Sequence, residues 1–419
     1  MAPGAGAGYD LSRYSRQMLV HGLEPQLALQ RASVLVVGAG ALGCGCLPYL
    51  VGAGVGRVTV VDGDVVEVSN LHRQPLHSER GAEMRLNKAE SAAARLRELN
   101  STIDVVAVAR HAAFDAETQA LVDAHDVVVD CSDNVGTRYL LNDACVLSGT
   151  PLVSAAAIGC EGTLTRWHCG GGPCYRCVHP KPAAFEGRRR CADAGVLGPV
   201  PGALGTLQAL DAVRLIQERA AAAVLGAAAA AAPAPKLRLF DGETLRAFGL
   251  PPRQPACAAC GAEPSIASLA DSKAWCVMQG IIVEDSGACF GALEAPPPVS
   301  VAELSMATCA DLRDALGRGA TIVDVRERVQ FSICSIEGSV SVPLRTILSQ
   351  PQSARNAVSN ALEACSPSVP AEIFVICRRG NDSRRATNEL IKLGFAGAKN
   401  VDGGLDVWRA QIDAALPNY

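Results

Sequence analysis

The sequence predicts an α/β protein in two parts, a doubly wound, largely parallel sheet followed by a second, smaller α/β unit. Three observations predict it. The stretch "ASVLVVGAGALGCGCLPYLVGAGVGRVTVVDGDVV" reads as a β-branched strand, a glycine turn, a helix and a second strand, which is one parallel βαβ unit. The apolar runs "IDVVAVAR", "DVVVDCSDN" and "PLVSAAAIG" alternate with helical stretches such as "KAESAAARLRELN" and continue the winding. After the stiff spacer "EAPPPVS", the segments "TIVDVRE", "GSVSVPL", "EIFVIC" and "AKNVDGG" start a new alternation of short strands and helices. The expected boundaries are residues 1–268 for the first domain, 269–304 for a linker and 305–419 for the second domain. The alanine-rich run "AAAAVLGAAAAAAPAPK" reads as a surface insertion.

Bulk properties narrow the class. A chain of 419 residues with 49% hydrophobic and 19% charged residues and a net charge of -4 has no basic surface for nucleic acid. No apolar stretch reaches the roughly 18 residues of a membrane span, and the opening residues lack the order of a secretory signal. A cytosolic location is therefore expected. Seventeen cysteines, an odd number, point to thiol and metal chemistry rather than a disulfide framework.

Gly38, Gly40 and Gly43 form G-x-G-x-x-G between a strand and a helix, where bare backbone can approach phosphate and a helix N-terminus favours anions. Asp62 stands at the end of the next strand, suited to a ribose hydroxyl. Alone, this fits NAD at least as well as ATP. Downstream come Asn70, Arg73, Gln74 and Lys88; a triphosphate being split needs such cations because charge develops on its oxygens. By chemistry alone Arg73 and Lys88 are equally readable as solvated helix charges.

The motifs "RYSRQ", "GAGALGCG", "VDGDVVEVSNLHRQ", "NKAES", "DCSDN" and "PCYRC" follow one another in the order of the ubiquitin-activating-enzyme-like superfamily. From about Tyr9 to Gly261 the chain resembles the bacterial MoeB and ThiF adenylyltransferases. The resemblance implies a Rossmann-like domain using ATP and magnesium, with Asp62 on the ribose, Asn70, Arg73 and Lys88 on the phosphates and Asp133 at the metal. It also implies a homodimer in which Arg16 enters the partner subunit's site. The implied reaction is adenylation of the C-terminal glycine of a small ubiquitin-fold protein.

The cysteines divide by spacing. Cys174 and Cys177 form one C-x-x-C pair and Cys257 and Cys260 another, about 80 residues on; four thiolates close a tetrahedron, as structural zinc requires. Cys191 stands alone beside arginines that favour its thiolate. Chemistry leaves it readable as passive, but its place matches the cysteine that accepts the activated carrier or the transferred sulfur in eukaryotic relatives.

In the final domain "DVRE", "EGSVSVPL", "ICRRGNDS" and "VDGGLDVW" resemble the rhodanese family over about Ser305 to Tyr419. The resemblance implies a persulfide on Cys377. A loop curled around that sulfur turns N–H groups inward and favours the thiolate. A phosphatase of related fold would need arginine where Ser383 stands; Arg384 is one place late. Asp382 repels a small dianion such as thiosulfate, which points to a protein persulfide donor, such as a cysteine desulfurase. Arg378 and Arg379 read either as guides for the donor or as solvated charges. The fusion as a whole resembles the eukaryotic activating enzymes of molybdenum cofactor synthesis and of the ubiquitin-related modifier. That implies a carrier thiocarboxylate as product, with the small molybdopterin synthase subunit and the ubiquitin-related modifier as carriers, for molybdopterin synthesis and tRNA wobble-uridine 2-thiolation. Two alternatives are a protein-conjugating activator working through a Cys191 thioester and a nicotinamide-dependent oxidoreductase, which would leave the cation row, the cysteine pairs and the last domain unused.

Overall fold

In the computed structural model the described residues are 12–182, 195–225, 235–281, 305–365 and 372–417. They fall into two compact units, Met1–Glu294 and Ala295–Tyr419. The first is built on an eight-stranded sheet in the order β3-β2-β1-β4-β5-β6-β7-β8. Strands β1 (Ser33–Val37), β2 (Arg57–Val61), β3 (Asp104–Val108), β4 (Val127–Asp130) and β5 (Leu152–Ile158) run parallel. The doubly wound sheet expected from the alternating runs is thus present, with its order reversing between β1 and β4. Strand β1 is apolar and buried from Val34 to Val37 because both of its faces are covered. Val34 and Val36 pack with Leu47 and Leu50 of the helix Ala41–Ala53. Leu35 and Val37 pack with Leu140 and Leu141 of the helix Val135–Ser148 on the other side.

Beyond β5 the sheet continues as an antiparallel arm, β6 (Glu161–Trp167), β7 (Lys236–Phe240) and β8 (Leu245–Gly249). The sequence reading did not anticipate it. Its signal is the Asp241-Gly242 turn, where the Asp241 carboxylate accepts N–H bonds from Glu243 and Thr244. The start of the alanine-rich run is no insertion: residues through Leu225 prolong the helix Pro199–Leu225, and positions 226–234 lie outside the described residues. Among the described residues no helix is long and apolar enough to cross a membrane.

The second unit has five parallel strands in the order β11-β10-β12-β13-β9. They are β9 (Met306–Ala307), β10 (Thr321–Asp324), β11 (Val340–Ser341), β12 (Ile373–Ile376) and β13 (Ala398–Val401). The four expected strands are present. Val323 and Val375 pack against Ala386 and Leu390 of the helix Asn381–Lys392. Phe374 and Ile376 pack against Leu405 and Trp408 of the helix Gly404–Gln411. The acid and base of "DVRE" are both buried: Arg326 grips Asp324 and donates through Nη2 to the Cys334 carbonyl at 2.7 Å, so the motif clamps the turn that follows β10.

Residues from Leu269 onward, expected to begin the linker, instead form a helix, Leu269–Met278, that closes over the first unit. Its Ser268 cap accepts from the Asp271 N–H, its Cys276 is buried, and its Ser272 hydroxyl donates to Asp143. Asp143 also holds Arg176 in a two-point ion pair, both bonds 2.7 Å. The Arg176 guanidinium in turn lies 3.9 Å from the Trp275 ring centroid. Both charges are out of water, with Arg176 2% and Asp143 0% exposed, so losing one partner leaves the other uncompensated. Asp143→Asn is therefore expected to destabilise the first unit by about 3–5 kcal/mol, read as a lower urea midpoint by tryptophan fluorescence.

Candidate active sites

The first site opens where β1 and β4 part at their C-terminal ends, the position at which a doubly wound sheet leaves a crevice. Gly38 leaves β1 with φ +104, and a Cβ there would stand 2.6 Å from the Cys131 carbonyl oxygen. A Cβ on Gly43 would stand 2.1 Å from the Gly38 carbonyl oxygen. These two glycines are required by the protein's own packing. Gly40 is different, since a Cβ there would meet nothing closer than Gln74 at 3.6 Å, and its backbone faces a cleft of about 980 Å³ that is partly open to solvent. A bare backbone at a helix N-terminus facing such a cleft suits a nucleotide and its phosphates.

The cleft wall holds Asp62, Arg73, Gln74, Lys88 and Asp133. Asp62 accepts N–H bonds from Ala39 and Asp64, each 2.8 Å. Burial pushes its carboxyl up, opposed by the Lys88 ammonium. Lys88 is the first residue of the helix Lys88–Leu99, and Asn87 caps that helix while donating to the carbonyls of Asp62 and Asp64. The Lys88 side chain is 8% exposed and its Nζ lies 2.8 Å from Asp64 Oδ2. Neither Asn87 nor Asp64 was singled out from sequence, although asparagine before a helical run is a cap signal. Asn70 lies beside Arg73, whose Nη2 donates to its amide oxygen, and donates in turn to Glu67 at 3.3 Å. It supports the arginine and is not part of the cleft wall. Asp133 is exposed at the cleft. Arg16, on the helix Ser15–His21, is exposed outside it. Arg138, which lines the cleft and donates to the Ala155 carbonyl at 3.2 Å, was also missed. Cys191 lies outside the described residues.

The second site brings the two C-x-x-C pairs together. Four buried Sγ atoms lie within 4.8 Å of one another, with Cys174–Cys177 at 3.9 Å, Cys174–Cys257 at 3.6 Å and Cys177–Cys260 at 3.4 Å. A tetrahedron with metal–sulfur bonds of about 2.3 Å requires sulfurs about 3.8 Å apart, whereas a disulfide would hold them at about 2.0 Å. The Gln254 N–H donates to Cys177 Sγ at 3.4 Å, the kind of outer bond that steadies a thiolate ligand. The four cysteines fit a tetrahedral ion such as zinc.

The third site is the loop after β12. Cys377 is 3% exposed, and its Sγ accepts from the Gly380 N–H at 3.1 Å and the Ser383 hydroxyl at 3.3 Å, at the start of the helix Asn381–Lys392. The outward carbonyls are taken by the next helix, Leu405 N–H donating to Cys377 at 2.9 Å and Asp406 N–H to Arg378 at 3.0 Å. Gly404, at φ +57, makes this possible, because a Cβ there would stand 2.3 Å from the Cys377 carbonyl oxygen. Burial pushes the Cys377 thiol up; the Ser383 hydroxyl and nearby backbone N–H groups pull it down, and the Asp382 carboxylate pushes it up again. The inward-turned groups expected to favour the thiolate are therefore opposed by burial and by Asp382. Asp382→Asn removes a negative charge that disfavours the thiolate, so the midpoint of the pH profile for Cys377 alkylation by iodoacetamide is expected to move to lower pH.

The ThiF family matches residues 14–260 and the rhodanese-like domain residues 308–411. The adenylyltransferase and sulfurtransferase MOCS3 of Anopheles gambiae is 41% identical over 420 residues, covering 98% of this chain and 89% of that protein. Its namesake from Mus musculus is 41% identical over 436 residues, covering 100% and 90%. Among solved structures, E. coli MccB with AMPCPP and MccA superposes with a TM-score of 0.50 at 24% identity, over 60% of this chain and 75% of that one, a likeness of fold. With both units matched in order and relatives aligned over nearly its whole length, the chain belongs to the family of ATP-using adenylyltransferase and sulfurtransferase enzymes that join a ThiF-type unit to a rhodanese-like one.

Proposed function

We propose that the chain activates the C-terminal glycine of a ubiquitin-like sulfur carrier with ATP and converts it to a thiocarboxylate. The observation that carries this reading is the presence in one chain of a phosphate-suited cleft and a thiol held at a helix N-terminus. In the first step a carrier carboxylate oxygen attacks the α-phosphorus of ATP, the bond to the β-phosphate oxygen breaks, and pyrophosphate leaves. Gly40 and its helix N-terminus receive phosphate, Asp62 the ribose, and Arg73 and Lys88 the charge that develops on the departing oxygens. Lys88 is already neutralised by Asp64, so the nucleotide competes with that carboxylate for it. Asp133 would hold magnesium, which screens the phosphates. Arg16 would complete the site across a homodimer, in keeping with its exposure outside its own cleft.

In the second step the terminal sulfur of a Cys377 persulfide attacks the acyl carbon and AMP leaves. A second thiol, for which Cys191 is the candidate, then cleaves the S–S bond, releasing the thiocarboxylate and leaving a disulfide that a thiol reductant resets. A cysteine desulfurase would load Cys377. The small molybdopterin synthase subunit and the ubiquitin-related modifier are the carriers this reading names, placing the enzyme in the cytosol upstream of molybdopterin synthesis and tRNA wobble-uridine 2-thiolation. Zinc on Cys174, Cys177, Cys257 and Cys260 would be structural, tying the end of the first unit to its middle.

Mass spectrometry of a purified carrier after incubation with ATP, a persulfide donor and the enzyme tests the sequence of steps. Asp133→Ala is expected to abolish the acyl-adenylate. Cys377→Ala is expected to leave the adenylate and abolish the thiocarboxylate; thiocarboxylate formed by Cys377→Ala would overturn the reading. For the metal, Cys257→Ser is expected to lose the bound zinc measured by atomic absorption and to lower the Tm of the first unit.

A further inference from the structure

Asp382 is not the only carboxylate that bears on the persulfide loop. Asp406, in the first turn of the helix Gly404–Gln411, pairs with both loop arginines, its Oδ1 3.7 Å from Arg378 Nε and its Oδ2 3.3 Å from Arg379 Nε. It is also the residue whose N–H holds the Arg378 carbonyl, so its position relative to the loop is set by backbone as well as by charge. Arg378 is 20% exposed and Asp406 35%, which leaves this pair less screened by water than a fully exposed one. Of the next two cations, on the helix Asn381–Lys392, Arg384 faces Asp402 at 3.9 Å and Arg385 is exposed. Arg378 and Arg379, the two residues after Cys377, thus share one carboxylate in the fold, which offsets one of their two positive charges.

We infer that Asp406 is a specificity-determining positioning residue, which masks Arg378 and Arg379 so that the loop disfavours small anionic sulfur donors and takes its sulfur from a docked protein persulfide. The inference rests on Cys377 being the sulfurtransferase thiol. With a small donor, the Cys377 thiolate attacks the sulfane sulfur of thiosulfate, the S–S bond to the sulfonate sulfur breaks, and sulfite leaves with the electron pair. The dianion must first enter the loop, and there the summed charge decides its affinity. A protein donor brings its own contact surface and does not depend on that charge.

The test is steady-state thiosulfate:cyanide sulfurtransferase activity of the full-length enzyme, comparing wild type, Asp406→Asn, Asp406→Glu and Cys377→Ala. Asp406→Asn is expected to lower KM for thiosulfate roughly three- to tenfold with a smaller change in kcat, and the difference is expected to shrink as salt is raised. Asp406→Glu, which keeps the charge, is expected to stay near wild type. An unchanged or higher KM in Asp406→Asn, or an equal fall in Asp406→Glu, overturns the inference while leaving the sulfurtransferase site intact. Turnover surviving in Cys377→Ala overturns the assignment of the thiol itself.

Discussion

The first unit depends on one crowded crossing of backbones, where Gly38 leaves β1 against the carbonyl of Cys131 and Gly43 closes down on the carbonyl of Gly38. No side chain fits at either place, and the resulting tight turn brings the N-terminus of the helix Ala41–Ala53 to the edge of the sheet. From this follow the crevice beside β4, the exposed backbone of Gly40 and the reach of Asp62 to the Ala39 amide. A loop suited to phosphate is in this sense the by-product of packing a helix very closely on a strand that is buried on both faces.

A second constraint ties the far end of that unit. The cysteine pairs converge on one point, and Arg176, between the first two of them, reaches into the core to Asp143. Asp143 belongs to the helix Val135–Ser148, which is capped by Asn134 directly after Asp133 at the cleft. The same carboxylate receives Ser272 from the closing helix. One buried charge pair therefore connects the four-cysteine cluster, the helix that follows the cleft, and the segment that leads out of the unit.

The second unit uses charge differently. Its reactive sulfur is buried at the start of a helix, a setting in which desolvation works against ionisation while the Ser383 hydroxyl and backbone N–H groups work for it. Around it, acids stand among the cations: Asp382 within the loop, Asp406 beside Arg378 and Arg379, Asp402 facing Arg384. On the inference drawn from Asp406, nucleophile activation and donor choice are separated, the first set by bonds to sulfur and the second by the charge around Arg378 and Arg379.

Much of this was legible in the chain itself. The β-branched run of β1, the glycine spacing, the paired cysteines and the cysteine after β12 mark strands, a tight turn beside a cleft, a set of four converging thiols and a buried thiol at a helix start, because periodicity and short spacings act between neighbours in sequence. The antiparallel arm and the closing helix were not legible. The arm's outer strands, β7 and β8, are short and largely exposed, and the closing helix follows the cysteine pairs in a stretch read as spacer. Which acid answers which base was decided only by the tertiary structure: Lys88 meets Asp64 across 24 residues, Arg176 meets Asp143 across 33 and Arg379 meets Asp406 across 27. Local pattern determines which faces are apolar and which side chains are reactive, but the Coulomb interaction depends on distance through space, and only folding sets that distance.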